Sequence, residues 1–169
     1  AELDVEIDGH VGYYCAGMNK LATVRVHGNA STGIAENMMS GRVLVDGNVS
    51  QSAGATGRGG LLVVRGNASS RCGISMKGID IVVGGSVGDY SAFMAQAGRM
   101  VVCGDPRQVD IPGGDTMSGL ADAVRRLEGV EGVGVTRFTS ADVVRHPLVQ
   151  KIIDAYERDD HARGTDGRA

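Results

Sequence analysis

The sequence predicts an all-β solenoid, a single-stranded right-handed parallel β-helix with 19-residue coils, plus a small α-helical appendage at its C-terminal end. Three observations predict this fold: a glycine that recurs every 19 residues, a pair of apolar residues at a fixed distance behind each glycine, and a biased composition. The 169 residues include 27 glycines but only four tyrosines, two phenylalanines and no tryptophan. This balance favours tight, repetitive turns over a core built on large side chains.

The repeat is defined by six glycines spaced 19 residues apart without slippage. Several begin phrases typical of turns, such as Gly28-Asn-Ala and Gly47-Asn-Val. A repeat of this length is too short for a helix and two strands, but it suffices for one coil of a solenoid, in which equivalent residues stack about 4.8 Å apart. The repeat-defining glycines are Gly9, Gly28, Gly47, Gly66, Gly85 and Gly104.

Each coil ends in a predicted strand. Fifteen and seventeen residues after each of the first five repeat-defining glycines, the sequence places two apolar and mostly β-branched residues with one residue between them, and a sixth such pair precedes Gly9 in the same register. This alternation with a period of two directs both side chains to one face of a strand, so that six stacked strands are expected. The pairs are Val5/Ile7, Val24/Val26, Val43/Val45, Leu62/Val64, Ile81/Val83 and Met100/Val102.

The residue between the two members of each pair should face outwards, yet it is apolar in most coils. In the first coil it is Arg25, and in the next four it is Leu44, Val63, Val82 and Val101. A contiguous apolar patch on an outer face usually marks an interface. These four residues are therefore the candidate interface ladder, and the sequence leaves open whether the chain's own C-terminal helices or a partner protein cover it.

The chain divides by composition into three parts. Leu120 and Leu127 belong to an apolar series with helical spacing that ends at Gly129, which predicts a short amphipathic helix. Ser140 is the N-cap expected for a second helix, which is interrupted near Pro147. The predicted domains are the β-helix over 1–105, a capping segment with two helices over 106–158, and a disordered tail over 159–169.

Charge and hydropathy argue against two classes of partner. The formal net charge is −3 and basic residues form no long run, so the chain lacks the electrostatic footprint of a nucleic-acid-binding protein. No apolar stretch approaches the roughly 20 residues that span a bilayer, which argues against a membrane partner. We therefore expect a cytoplasmic location.

No residue is nominated for catalysis, cofactor binding or metal binding. Cys15, Cys72 and Cys103 are too far apart for a metal or iron–sulfur motif, and the four histidines lack the spacing of zinc ligands. The glycine-rich stretches 57–60 and 84–88 lack the Lys-Ser or Lys-Thr ending of a phosphate-binding loop. We expect reduced, packed thiols and no catalytic site in this chain.

Several phrases within the coils resemble a known family, the GXGXG domain. That domain is the β-helical part of glutamate synthase large subunits and also occurs as a separate subunit of glutamate synthase-like and N-methylglutamate synthase-like complexes. The resemblance covers Gly9 to Gly104 and ends where Pro106 and Pro112 interrupt the coils. It is carried by Gly28-Asn-Ala-Ser-Thr-Gly, Glu36-Asn-Met-Met-Ser-Gly-Arg-Val, Ser75-Met-Lys-Gly and Gly88-Asp-Tyr-Ser-Ala-Phe-Met-Ala-Gln-Ala-Gly.

The resemblance implies a non-catalytic assembly subunit of a glutamate synthase-like oxidoreductase complex, which orients catalytic partners around an ammonia channel. The implied partners are glutamine amidotransferase and flavin/Fe–S synthase-domain subunits, with FMN and Fe–S clusters bound only by those partners. Two alternatives remain: a scaffold like the C subunit of formylmethanofuran dehydrogenase, which similar coils suggest, and a stand-alone self-assembling β-solenoid. The second alternative would make the chain a homo-oligomer.

Overall fold

The chain folds into a parallel β-solenoid of about five turns, and the described residues also include one short helix. A computed structural model describes residues 3–104 and 119–138. Equivalent residues of neighbouring coils lie beside one another in a continuous parallel sheet. The predicted fold class is therefore confirmed.

Six strands form one sheet in chain order. The 19-residue register pairs Val24 with Val43 and Val43 with Leu62, as the repeat predicts. One irregularity occurs between Lys77 and Asp80, where the pairing of the last two strands shifts. The strands are β1 (Asp4–Asp8), β2 (Thr23–His27), β3 (Arg42–Val45), β4 (Leu61–Val64), β5 (Lys77–Val83) and β6 (Ala97–Val102).

The core lies inside the coils and is lined by ladders of small and medium-sized apolar residues. The inward residues of β2 to β5 are buried, and Leu62 and Ile81 are completely enclosed. A second wall is made by short parallel bridges between Ala30, Val49 and Ala68. Because each coil is thin, its apolar side chains are enclosed mainly by the coils above and below, so that stability depends on stacking.

The third side of each coil is a turn in which alternate residues have positive φ. In the second coil these residues are Gly33, Ala35 and Asn37, with φ of 78°, 56° and 55°. Left-handed backbone is unfavourable for most residues, but here it directs N–H groups to both neighbouring coils. Ala35 N–H donates to the Cys15 carbonyl and Asn37 N–H donates to the Ala55 carbonyl, each at 2.9 Å.

Four of the six repeat-defining glycines, Gly28, Gly47, Gly66 and Gly85, lie where successive coils approach too closely for a Cβ atom. Gly47 N–H donates to the Gly28 carbonyl at 2.9 Å, and Asn48 N–H donates to Asn29 Oδ1 at 2.8 Å. A Cβ atom added to Gly47 would lie 2.7 Å from the Gly28 carbonyl oxygen and would overlap Asn29 Oδ1. A ladder of asparagine side chains therefore holds the turns at a spacing that only glycine permits.

The described part of the C-terminal region contains helix α1 (Gly119–Leu127), as the apolar spacing predicts. Two arginines lie in its last turn, where positive charge is favourable, and Gly129 follows with φ of 88°. No residue of the helix is buried. The chain divides into two compact units, Ala1–Ala123 and Val124–Ala169.

Two predictions for this region fall outside the described residues, namely the second helix after Ser140 and the disordered tail over 159–169. The boundary expected between residues 105 and 106 lies at the edge of another undescribed range, 105–118, so the predicted domain limits stay predictions. Among the described helices, none is long and apolar enough to cross a membrane.

The close approach at the glycine ladder predicts a difference between two glycine-to-alanine variants. Gly47→Ala should lower the free energy of unfolding by about 1–3 kcal/mol, because the new methyl group meets backbone that cannot retreat without separating two coils. Gly12→Ala is the matched control, since nothing lies within 4 Å of its Cβ position. Urea denaturation measures both, and equal stabilities for the two variants would contradict the close-approach explanation.

Candidate docking surface

The candidate interface ladder lies on the outer face of the sheet, as its alternation predicts. Leu44, Val63 and Val82 are half-buried, although no strand or helix among the described residues packs on this face. Val101, on the last strand, is 48% exposed. The ladder is thus continuous from β3 to β6 and most accessible at its C-terminal end.

A shallow, open groove of about 340 Å³ lies at that end of the face. Arg99 and Asp80 form an ion pair at its rim, with Nη2 2.6 Å from Oδ2 and Nε 3.2 Å from Oδ1. The hydrogen bond from Arg99 lowers the pKa of Asp80, so the pair remains charged at neutral pH. The groove is lined by Leu61, Asp80, Ile81, Val82, Arg99 and Val101.

The N-terminal half of the same face is charged rather than apolar. His27 lies between two carboxylates, with Nδ1 2.8 Å from Asp46 Oδ2 and Nε2 3.1 Å from Glu6 Oε2. Arg65 Nη1 approaches the other oxygen of Asp46 at 3.0 Å. Both ring nitrogens face groups that only accept hydrogen bonds, so the doubly protonated imidazolium satisfies both carboxylates. The hydrogen bonds to Asp46 and then Glu6 raise the pKa of His27.

The terminal coil exposes apolar side chains that inner coils bury. Val102 occupies the same column as the fully buried Val83, yet it is 36% exposed. At the opposite corner, Tyr90 and Phe93 form an edge-to-face pair with ring centroids 5.8 Å apart, and Met94 beside them is exposed. This end of the solenoid therefore presents an apolar surface in addition to the edge of β6.

The described part of the second unit is also poor in buried apolar residues. Glu128 and Arg137 form a two-point ion pair at 2.8 and 3.2 Å, which lowers the pKa of Glu128. Around this pair, Val130, Val133 and Phe138 are exposed, and Phe138 is 79% exposed. A pair of solvated charges stabilises a fold only weakly, so this stretch has no core of its own among the described residues.

The cysteines are separate thiols in three environments. Cys72 is buried, Cys15 is half-buried and Cys103 is exposed. Burial raises the pKa of Cys72 to about 11 and also raises the pKa of Cys15. Within residues 3–104 and 119–138, no three histidine, cysteine, aspartate or glutamate residues are grouped as metal ligands. The expectation that this chain binds no metal or cofactor stays a prediction.

Comparison with known proteins identifies relatives for one part of the chain. A family model described as PhoH-like protein matches residues 92–157. The matched segment is similar to PhoH-like proteins. It is less than half of the chain, and it begins in the last coil, includes β6 and α1, and continues beyond the described residues.

Individual relatives likewise match only part of the chain. A PhoH-like protein of Bacillus subtilis is 47% identical over 60 residues, which are 36% of this chain and 18% of that protein. A PhoH-like protein of Mycobacterium tuberculosis is 50% identical over 60 residues, 36% of this chain and 17% of its own length. Protein GlxC of Rhizobium meliloti is 68% identical over 40 residues, 24% of this chain and 18% of that protein. The chain thus spans about a fifth of these relatives, and no solved structure matches it.

The expected membership of the GXGXG or glutamate synthase family is wrong, because the family model that matches is PhoH-like. Two further expectations are wrong for the same reason. One is the assembly role in a glutamate synthase-like oxidoreductase complex, and the other is the set of glutamine amidotransferase and flavin/Fe–S partners. The resemblance misled because the coil phrases consist of glycine turns and stacked small residues. Those features describe how a solenoid is built and do not specify what it binds.

The ladder residues lie between the buried pairs, where the alternation predicts them, and their role as an interface stays a prediction. Sequence reasoning missed two features. Phe93 and Met94 are exposed at a corner, although their phrase was used only for the family resemblance. The charged cluster around His27 joins residues 21 and 19 positions apart. The 19-residue register could have predicted most of this cluster, because Asp8, His27, Asp46 and Arg65 occupy the same column. Glu6 lies two positions before Asp8.

The charged cluster predicts a pH-dependent contribution to stability. Because the pKa of His27 is raised in the folded chain, its contribution is fully present below its ordinary pKa and is lost as the pH rises through the raised value. His27→Gln should therefore lower the melting temperature more at pH 5.5 than at pH 8.5. An equal effect at both values, measured by circular dichroism, would show that the imidazolium does not stabilise the coils.

The three thiols should react with a disulfide reagent in order of exposure. At pH 7.5 we expect Cys103 to react first, Cys15 more slowly, and Cys72 only when the solenoid unfolds, because burial raises the thiol pKa of Cys72 to about 11. Mass spectrometry of the labelled peptides measures the order. Early labelling of Cys72 in the folded chain would contradict the packing of its coil.

Proposed function

We propose that the chain is a binding module that docks its PhoH-like segment, residues 92–157, onto the body of a PhoH-like protein. The solenoid would serve as a rigid stem that carries this segment. The proposal assigns the chain a complementing role, in which it supplies a stretch that PhoH-like proteins ordinarily contain within their own chain. The similarity over this stretch and the exposure of its apolar residues support the proposal.

The observation that carries the proposal is that the segment is unburied. None of its 33 described residues is buried, whereas the inward residues of β2 to β5 are. Eight of the fifteen exposed large apolar side chains lie among these 33 residues, and the other seven are spread over the 89 described residues before Ala92. Apolar surface at this density usually belongs to an interface. The eight residues are Phe93, Met94, Val101, Val102, Leu127, Val130, Val133 and Phe138.

The extent of the match indicates what could cover the exposed apolar side chains of this segment. The segment corresponds to less than a fifth of the PhoH-like proteins of Bacillus subtilis and Mycobacterium tuberculosis. In those proteins the remaining four fifths of the chain are available to cover the apolar side chains of the equivalent stretch. We propose that a PhoH-like body supplies the same cover to this chain.

The activity of a complete PhoH-like protein is proposed to reside in the part that this chain does not match. The glycine-rich stretch 57–60 leads into β4 and the stretch 84–88 follows β5, so neither forms a strand-to-helix loop that cradles phosphate. Neither stretch carries the Lys-Ser or Lys-Thr ending. The isolated chain is therefore expected neither to bind nor to hydrolyse ATP, and hydrolysis by the pure protein would contradict this division of labour.

The test is a complementation experiment with the PhoH-like protein of Bacillus subtilis. That protein is produced in full length and with the stretch equivalent to residues 92–157 deleted, each with and without co-expression of the full chain described here. We expect the chain to co-purify with the deleted form and to increase its soluble yield. Binding to the full-length form should be at least about tenfold weaker, because its own stretch occupies the site.

Two exposed aromatic residues provide a matched control. Phe138→Ser, within the matched segment, should weaken binding about tenfold or more, as loss of an aromatic contact at an interface does. Tyr13→Ser removes a similarly exposed ring, 74% against 79%, outside the segment and should leave binding unchanged. A deleted form that stays insoluble or unbound in the presence of the chain would overturn the proposed function.

A further inference from the structure

We infer that the partner binds by adding a parallel β-strand to the free edge of β6, so that the sheet of the solenoid continues into the partner. This inference rests on the proposed function and specifies how the docking occurs. Strand β6 (Ala97–Val102) lies inside the PhoH-like segment and is the last strand of the sheet. Among residues 3–104 and 119–138, no strand lies on its far side.

The backbone direction of β6 identifies the groups that face outwards. Cys103 N–H donates to the Val83 carbonyl at 2.9 Å, toward β5. Alternate residues of a strand direct their N–H and C=O groups to opposite sides, so Val101 also faces β5. Met100 and Val102 then direct their backbone donors and acceptors away from β5. They form a row to which an extended segment can bind through main-chain hydrogen bonds.

The side chains of β6 show that one further layer is expected above it. Met100 and Val102 continue the columns of Ile81 and Val83, which are completely buried by the coils on both sides. In the terminal coil Met100 is half-buried and Val102 is 36% exposed. An added strand would cover both columns as β6 covers those of β5, and it would satisfy the apolar and the backbone groups of the edge together.

The two edges of the sheet differ in how they are protected. Strand β1 carries Asp4, Glu6 and Asp8 on alternate positions, and rows of like charge discourage the addition of another strand. The single charged residue of β6 is Arg99, whose side chain is paired with Asp80 of β5. Among the described strands, the edge of β1 is thus protected by charge, whereas the edge of β6 is not. This asymmetry favours one partner at the β6 end.

The test compares two variants that differ in the backbone donor. Val102→Pro removes the outward N–H and Val102→Ala keeps it, while both remove the valine side chain. The deleted Bacillus subtilis PhoH-like protein, co-purified with the full chain as above, is the probe. We expect Val102→Pro to weaken binding at least about tenfold relative to Val102→Ala. The melting temperatures of the two free variants check that both remain folded.

Hydrogen exchange provides a readout that requires no substitution. In the complex, the amides of Met100 and Val102 should exchange at least about tenfold more slowly than in the free chain, while the amide of Val101, already bonded to β5, changes little. A stable complex without this protection, and with equal binding by the two variants, would overturn strand addition and leave the proposed function intact. Absence of any complex would overturn both. Protection that grows with concentration of the chain alone would assign the edge to a second copy and overturn the inference.

Discussion

Everything in this structure depends on how closely one coil approaches the next. The hydrogen bonds between Gly28 and Gly47, and between the Asn29 side chain and the Asn48 amide, hold the turns at a distance that leaves no room for a Cβ atom. This spacing brings equivalent strands within hydrogen-bonding distance. It also stacks the apolar residues of each inner column directly on one another. Loss of the spacing at one turn would loosen the sheet, the core and the left-handed corners together.

The same stacking explains why the proposed docking surface lies at one end. Inner coils satisfy their backbone groups and bury their apolar residues against neighbours on both sides, but a terminal coil has a neighbour on one side only. At the first coil, carboxylates on β1 protect the edge. At the last coil, Val101, Val102, Phe93 and Met94 are exposed, and the PhoH-like segment begins there. The PhoH-like segment thus includes the coil at which the described stacking ends.

The composite character of the chain is visible in its burial pattern. The coils before Ala92 enclose a continuous core, whereas no described residue of the PhoH-like segment is fully buried and only Ala92 and Met100 pack against that core. The segment shares close to half of its residues with part of proteins that are about five times its length. This is why the proposed role is that of a complementing module. In that proposal the solenoid supplies rigidity through stacking, and the segment supplies the apolar contact surface.

The sequence by itself determined the solenoid, its six strands, the inward pairs such as Val43/Val45 and the outward ladder from Leu44 to Val101, because a strict 19-residue period leaves only one register in which apolar residues coincide. It did not determine the partner. The resemblance drawn from coil phrases pointed to the wrong family, since glycine turns recur wherever backbones must approach closely. Only the tertiary structure showed that His27 lies between Glu6 and Asp46. It also showed that Met100 is only half-buried and Val102 exposed in columns that are buried elsewhere. Those facts depend on which coil has a neighbour above it, a property of the assembled stack and not of any single repeat.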